Sequence, residues 1–368
     1  IYPVCEMEHN ASPIDMDKLN AWCADAKQKH HRLLWRIHRD TGLKFNPDKN
    51  TDWEKMFKHL GIPIVELTPA GKPSFTDAIL KRVKHPIVEM GRRASHLSGL
   101  RSKYLDKYQK SATDGRLRYA LHQLRSESGG TVTGRFSASA LIKGDPSSGI
   151  NPQQVMAVEK QQEAYGDDYI VRELYIPEEG LYLAADSAQI EYRIFASYAN
   201  NSEVIAAYAA DEHTHFHKLV WEMFKRHKPD LPYKMQKNIN FMKIYGGGLT
   251  KLALMLEFIT EAEAEELRHN FAPKAPPRNH PKLIRAAEID TIYDKMLPEV
   301  GPLVRRASNV ARDRGYVRTI LGRRCRFPDG NRLYKALNSV IQVVQQTYTN
   351  GCLWNCTGSV SVSASPCG

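Results

Sequence analysis

Asp186 is the residue whose surroundings first suggest chemistry. It follows L-Y-L-A-A, residues Leu181 to Ala185, and precedes S-A-Q-I-E-Y-R, so a short apolar run delivers one carboxylate to the mouth of a second element. A run of this length and composition predicts a buried strand, and a carboxylate fixed at its end is placed to ligate a metal ion. From Gln189 the period changes, with Ile190, Ile194 and Tyr198 at helical spacing and Gln189, Glu191 and Arg193 facing elsewhere. A helix N-terminus also favours an acid for structural reasons, as cap or first-turn charge, so Asp186 alone decides nothing.

A second stretch, Asp230 to Gly248, reads D-L-P-Y-K-M-Q-K-N-I-N-F-M-K-I-Y-G-G-G. Asp230 is expected to cap a helix, Pro232 to sit in its first turn and the glycines to end it. At about 100° per residue, Met235, Ile239 and Met242 fall on one side, and Lys237, Phe241 and Tyr245 repeat every four residues on the other. One side packs; the other presents a cation and two rings. A surface helix with a snorkelling lysine gives the same pattern, and it is the conjunction with Asp186 that makes a site of it.

Together the two stretches resemble the family A DNA polymerases, phage members especially. Asp186, Gln189, Ile190, Glu191 and Arg193 match motif A, D-Y-S-Q-I-E-L-R, and Lys237, Phe241, Tyr245 and Gly246 match the fingers helix of motif B. The arginine of motif B is replaced by Tyr233, with Lys234 beside it. The resemblance implies an α+β right-hand polymerase fold, with a helical thumb and helical fingers around an antiparallel palm sheet that is incomplete here. It also implies two Mg²⁺ ions as cofactors, with primer-template DNA and deoxynucleoside triphosphates as partners of a monomer. Asp186 would bridge both ions and the backbone carbonyl of Ser187 would ligate one. Lys237 would balance phosphate charge and protonate the leaving pyrophosphate. Gln189, His215 and Lys234 join Lys237 around the nucleotide. Phe241 would lie against its sugar and Tyr245 near the templating base. Glu191 would close the space a ribose 2′-hydroxyl needs, hydrogen-bonding Tyr245 in the closed form. A single-subunit RNA polymerase shares this plan, and Glu191 in Q-I-E argues against it.

The order of further segments agrees. T-V-T-G-R-F-S-A-S, Thr131 to Ser139, resembles the motif between thumb and palm whose arginine, here Arg135, reaches the minor groove. Gly315 to Pro328 predicts a β-hairpin turning at Leu321-Gly322, and resembles the family's G-Y-V-x-T-x-x-G-R-R-R signature. Arg323 and Arg324 there, with Arg193, are expected at DNA. Asn338 and Gln342 match a K-A-L-N-x-x-x-Q segment whose amides contact the duplex. The resulting division is a helical thumb-like region over 1–125, palm with motif A over 126–210, fingers over 211–300, palm return over 301–342, and a tail over 343–368.

The chain has 368 residues, with 52 lysines and arginines against 41 acids, a net charge of +11 and a pI near 9.2. That balance suits a polyanion partner. The N-terminus lacks the basic and apolar regions of a secretion signal, and no run of eighteen apolar residues occurs. The expectation is a cytoplasmic protein, in the host cytoplasm if phage-encoded, with no membrane span. Six cysteines without paired C-x-x-C spacing indicate reduced thiols rather than a zinc ribbon or disulfide framework. Lys143 to Asn151 reads as a loop and carries no Walker spacing. Asp211 to His217, D-E-H-T-H-F-H, tempts toward a metal, yet a helix would place His213 and His217 alone on one face. Before these, Met16 to Arg39 predicts a helix with Leu19, Trp22, Cys23, Ala26, Leu33, Leu34 and Ile37 inward. Basic residues at Lys81 to Lys84, Arg92, Arg93, Arg101 and Lys103 are placed to grip phosphates. An exonuclease domain, which many relatives carry in front of the thumb, is absent from the sequence given.

After Gln342 the resemblance stops. The run V-V-Q-Q-T-Y-T-N-G-C-L-W-N-C-T-G shows no helical period, and its composition predicts disorder through Gly368. With suitable codons the same bases, read one position out of register, give S-A-A-D-I-Y-K-R-L-S-M-E-L-H-R, the family's own continuation. Loss of one base, from CAG GGT AGT to CAG GTA GTG, is enough. The expectation is therefore an out-of-frame tail, no motif C carboxylate (H-D-E), and a chain that binds primer-template while extending it poorly or not at all.

Overall fold

The computed structural model describes residues 2–64, 66–68, 71–123, 130–131, 133–142, 144–145, 147–166, 168–182, 186–272, 274–328 and 330–356, with backbone alone for 2–3 and 348–356. The chain forms two compact units. The first comprises residues 1–122, 126–130 and 136–183, and the second residues 123–125, 131–135 and 184–368. This division is coarser than the five segments expected from the sequence.

In the first unit the expected helix runs Met16–Thr41. Asp15 caps it, its carboxylate accepting from Lys18 N at 2.8 Å, and Gly42 ends it in the left-handed region that glycine adopts without strain. Leu19, Cys23, Ala26 and Ile37 are buried, as the spacing predicts, whereas Trp22, Leu33 and Leu34 are half-buried. This helix packs on Pro86–Leu100, which continues through a π-helical turn at Arg101–Leu105 into Asp106–Ser111. Leu19, Leu100, Leu105, Leu117, Tyr169 and Leu174 share one core, and Trp53, Phe57, Phe75 and Val88 a second. Gly91 allows the second to close, because a Cβ there would collide with the Trp53 ring. Two small antiparallel sheets complete the unit: Ser12–Pro13, Arg116–Leu117 and Ala112–Thr113 in one, Ala120–His122 with Ser137–Ser139 in the other.

The second unit is mostly helical. Helices Ile190–Ala199, Ser202–Ala210, Phe216–Lys225, Tyr233–Ile244, Leu249–Met255, Glu261–Phe271, Ile284–Met296 and Val300–Arg314 surround a core that includes Tyr192, Phe195, Phe216, Phe224, Ile239 and Tyr293. Glu261–Phe271 opens with a capping box between Thr260 and Glu263, which satisfies two backbone donors reciprocally. The expected hairpin is present: Tyr316–Arg318 pairs antiparallel with Arg324–Arg326, Val317 opposite Cys325.

Three sequence expectations are corrected. Leu181 and Tyr182 form no strand and are 94% and 60% exposed, while Leu183 to Ala185 lie outside the described residues. A strand holds its place only with neighbours to pair and pack, and none among the described residues flanks this run. Asp230 does not cap the next helix: Pro232 holds the N-cap position of Tyr233–Ile244, and there is no side-chain cap. In Ile190–Ala199 the buried face is Tyr192, Phe195 and Ala196, leaving Ile190, Ile194 and Tyr198 half-buried. Finally, the tail is not disordered from its start, since one helix runs Ala336–Cys356. Val340 and Val343 are buried with Val317, Cys325 and Ala336, which anchors the helix, and propagating an established helix costs far less than starting one. Residues 357–368 lie outside the described set.

Candidate active site

Asp186 and Ser187 are exposed, on the loop that leads into Ile190–Ala199. Gln189 ends that loop in the left-handed region, φ 51°, a conformation that costs a non-glycine residue energy. Its side chain accounts for the position. The amide nitrogen donates to Thr214 O at 2.9 Å, and the amide oxygen accepts from Phe216 N at 2.7 Å and from the Tyr208 hydroxyl at 3.4 Å. Gln189 thus supplies an acceptor to the backbone N–H at the start of Phe216–Lys225. Arg193 donates to Ala188 O at 3.1 Å and Glu212 O at 2.5 Å and lies over the Tyr208 ring at 4.3 Å. These two side chains fix the Asp186 loop to the turn that carries His215.

His215 is exposed at the N-cap of Phe216–Lys225, its ring 6.4 Å from Tyr233. His217 is buried against the rings of Tyr192 at 4.4 Å and Phe241 at 5.1 Å, and its Nδ1 faces Asn240 Nδ2 at 3.0 Å. Burial disfavours its charged form and holds its pKa near 4, with His215 and Lys237 adding repulsion. The rings of His215 and His217 are 5.7 Å apart, at the start of Phe216–Lys225.

The Tyr233–Ile244 helix shows the expected two sides. Ile239 and Met242 are buried, with Gln236, Asn240 and Ile244, while Lys234 and Lys237 are exposed and Phe241 and Tyr245 half-buried. The rings of Phe241 and Tyr245 are 5.8 Å apart. Tyr245 then donates its hydroxyl to Glu191 Oε2 at 2.5 Å. Burial raises its pKa above the usual tyrosine range, and the bond to Glu191 raises it further, since the neutral form is the donor. Gln342 also hydrogen-bonds this hydroxyl.

The other oxygen of Glu191 pairs with Arg135, whose guanidinium also donates to Gln345 Oε1 at 2.8 Å. Arg135 thus pairs with the carboxylate in the first turn of Ile190–Ala199. Gly134 before it has φ +78°, and a Cβ there would collide with the guanidinium of Arg323, so the T-G-R and G-R-R segments meet at this glycine. Arg324 stacks over the Tyr316 ring at 5.0 Å. The side-chain oxygen of Asn338 is buried and has no hydrogen-bond partner among the described residues. Beside the Asp186 loop, Ser187, Ile190, Ile194, His213, Ile320 and Val344 are among the residues lining an open cavity of about 730 Å³.

Gln345 was not anticipated from the sequence, because it lies just past Gln342, the last residue read as part of a motif. His217 was visible as a histidine but its burial was not, since that depends on rings from two other helices.

A sequence model of DNA polymerase family A matches residues 16–345. The chain belongs to DNA polymerase family A. It is similar to DNA polymerase DpoZ of Salmonella phage PMBT28, 28% identical over 363 residues, which cover 92% of this chain and 55% of that protein. It is also similar to the thermostable DNA polymerase I of Thermus aquaticus, 27% identical over 336 residues, covering 89% of this chain and 35% of that one. The chain therefore spans about half the length, or less, of the curated relatives it matches. Among solved structures it resembles the POL domain of Pol1 from M. smegmatis in complex with DNA primer-template and dNTP, with a TM-score of 0.62, 19% identity, and coverage of 97% of this chain and 59% of that one. That likeness shows the α+β fold of a family A polymerase region. No helix among the described residues is long and apolar enough to cross a membrane.

Divalent ions serve family A polymerases generally. Among the described residues no group of three or more His, Cys, Asp or Glu stands close enough to hold a metal ion. The exposed Asp186 carboxylate and the adjacent Ser187 carbonyl are oxygen donors of the kind a divalent ion takes, and a pair of ions would call on further carboxylate oxygens.

Proposed function

We propose that this chain is the polymerase region of an enzyme that adds deoxynucleotides to a primer 3′-hydroxyl under template direction. The observation that carries the reading is the contact of Tyr245 with Glu191 at 2.5 Å, which sets a fixed carboxylate beside the face bearing Lys237 and Phe241. On that face Lys237 neutralises triphosphate charge and donates a proton to the departing pyrophosphate. Phe241 supports the sugar. Glu191, held by Tyr245 on one oxygen and Arg135 on the other, occupies the space beside the sugar's 2′ carbon. Lys234 and His215, both exposed, contribute to phosphate binding, and Arg323 and Arg324 with the amides of Asn338 and Gln342 line the path of the duplex. A Mg²⁺ ion at Asp186 and the Ser187 carbonyl would supply Lewis-acid stabilisation of phosphate charge.

We further propose that the chain as given binds primer-template and extends it poorly or not at all, because the run after Gln342 is out of frame and carries no motif C carboxylate. Three measurements test both statements: primer extension with deoxy- or ribonucleotides, a gel-shift on the same duplex, and the gene's nucleotide sequence. Robust extension by this chain, or a gene in which no base is missing after the Gln342 codon, overturns the second statement. Failure to bind primer-template overturns the first.

A further inference from the structure

We propose that Lys243 is a positioning residue for nucleotide selection, holding the Tyr233–Ile244 helix so that Tyr245 meets Glu191; this rests on reading the Lys237, Phe241 and Tyr245 face as the nucleotide's. Lys243 Nζ lies 2.6 Å from Asp290 Oδ1 and 2.6 Å from Asp294 Oδ1, two carboxylates one helical turn apart on Ile284–Met296. Arg278 Nη1 takes the second oxygen of Asp290 at 2.7 Å, and the ammonium stands 5.4 Å from the centre of the Tyr293 ring. The side chains of Lys243 and Asp290 are 11% and 10% exposed, so water screens this pair little.

Lys243 is two residues from both Phe241 and Tyr245, about 200° around the helix from each, and so cannot touch a ligand on their face. Its effect passes through the helix. Apolar packing is non-directional and tolerates a small rotation, whereas an ammonium gripped by two carboxylates from one neighbouring helix fixes rotation and slide together. Tyr245 begins the turn after the helix, two residues on, and its 2.5 Å bond to Glu191 tolerates little displacement. A shift on the order of 1 Å breaks it. The signal was present in the sequence as Asp290 and Asp294 four apart in a helical stretch, but their partner was not.

The test uses the whole chain bound to a primer-template whose primer ends in a dideoxynucleotide, with Mg²⁺, so that nucleotide binding is read without turnover. The concentrations of the next correct deoxy- and ribonucleoside triphosphate that stabilise the complex give a deoxy-to-ribo preference. Lys243→Met is expected to narrow that preference on the order of tenfold, since Tyr245 and Glu191 separate. Lys243→Arg is expected to retain it, and Lys243→Met in a Tyr245→Phe background to change it no further. A Lys243→Met chain that keeps the wild-type preference while losing thermal stability overturns the proposal, leaving the network structural. If Lys243→Met does not fold, Asp294→Asn decides, because Asp294 is the exposed limb and the Asp290 pair survives: narrowing supports the proposal, and an unchanged preference overturns it. Absence of nucleotide binding, or of any preference, in the wild-type complex overturns the reading of the helix face itself and with it the role of Lys243.

Discussion

The hydroxyl of Tyr245 donates to Oε2 of Glu191 at 2.5 Å, joining the end of Tyr233–Ile244 to the first turn of Ile190–Ala199. Arg135 holds the other oxygen, so the carboxylate cannot rotate away from a substrate that crowds it. Replacing Glu191 by Ala is therefore expected to raise ribonucleotide acceptance relative to deoxynucleotide, on the order of tenfold or about 1.4 kcal/mol. Tyr245→Phe, which removes one of the two restraints, is expected to act in the same direction and less. The ratio of ribo- to deoxynucleotide bound by the primer-template complex measures it, and an unchanged ratio places the steric block elsewhere.

The Tyr245 and Glu191 contact was anticipated through the resemblance to family A polymerases, which the short segments around both residues carry. Helical spacing put Lys237, Phe241 and Tyr245 on one face, and the structure keeps them there. Spacing did not reveal where Gln189 and Arg193 point, since their partners, Thr214, Phe216 and Glu212, lie twenty or so residues away and are backbone atoms. Any residue type supplies a backbone partner, so no pattern betrays it. The Leu181 run failed for a different reason: alternation and length describe what a segment prefers, while a strand exists only beside another strand. The helix through Cys356 failed because composition omits what precedes a segment, here a helix already anchored by Val340 and Val343.

Phe241 lies among the rings of Tyr192 at 5.4 Å, His217 at 5.1 Å and Tyr245 at 5.8 Å, which fixes the plane it offers to a sugar. Phe241→Tyr adds one hydroxyl at that ring's edge without disturbing the rest. The variant is expected to bind dideoxynucleotides more nearly as well as deoxynucleotides than the parent chain does. Competition between the two on the same primer-template gives the answer, and equal discrimination by both proteins removes Phe241 from the sugar.

The net charge of +11 predicts a steep salt dependence of duplex binding. Arg92 is engaged by Glu89 and Asp77 and Arg101 by Asp106, so these two contribute less to phosphate binding than their positions suggest. With roughly six phosphates still contacted, affinity is expected to fall about a thousandfold between roughly 50 and 200 mM salt. Gel-shift titrations at several salt concentrations give the slope directly, and a flat response assigns the charge to another purpose.

Gly134 and Gly144 allow two effects to be separated. Both have positive φ, +78° and +90°, but a Cβ at Gly134 meets the Arg323 guanidinium and one at Gly144 meets nothing within 4 Å. Gly144→Ala is expected to cost about 1 to 2 kcal/mol from backbone strain. Gly134→Ala is expected to cost more, because Arg323 must also move, and to weaken duplex binding. Denaturation midpoints of the two variants measure the difference, and equal losses mean that Arg323 moves freely.

His217 sets a pH dependence whose sign follows from its burial. Its folded-state pKa is near 4, against about 6.5 for an unperturbed histidine, so between these values the unfolded chain binds a proton that the folded chain does not. The stabilisation is fully present above about pH 6.5 and is lost progressively as pH falls toward 4, amounting to at most about 3 kcal/mol. Repulsion from His215 and Lys237 also works against protonation of His217 in the folded form. Asn240 donates from Nδ2 to the unprotonated Nδ1 at 3.0 Å, and protonating that nitrogen would set two donors face to face, since the amide oxygen already accepts from Gln236. His217→Gln keeps a polar side chain without a titrating proton and is expected to flatten the fall in urea midpoint between pH 7 and pH 5. If wild type and variant lose stability in parallel over that interval, the acid sensitivity arises at other groups and the buried histidine is not its source.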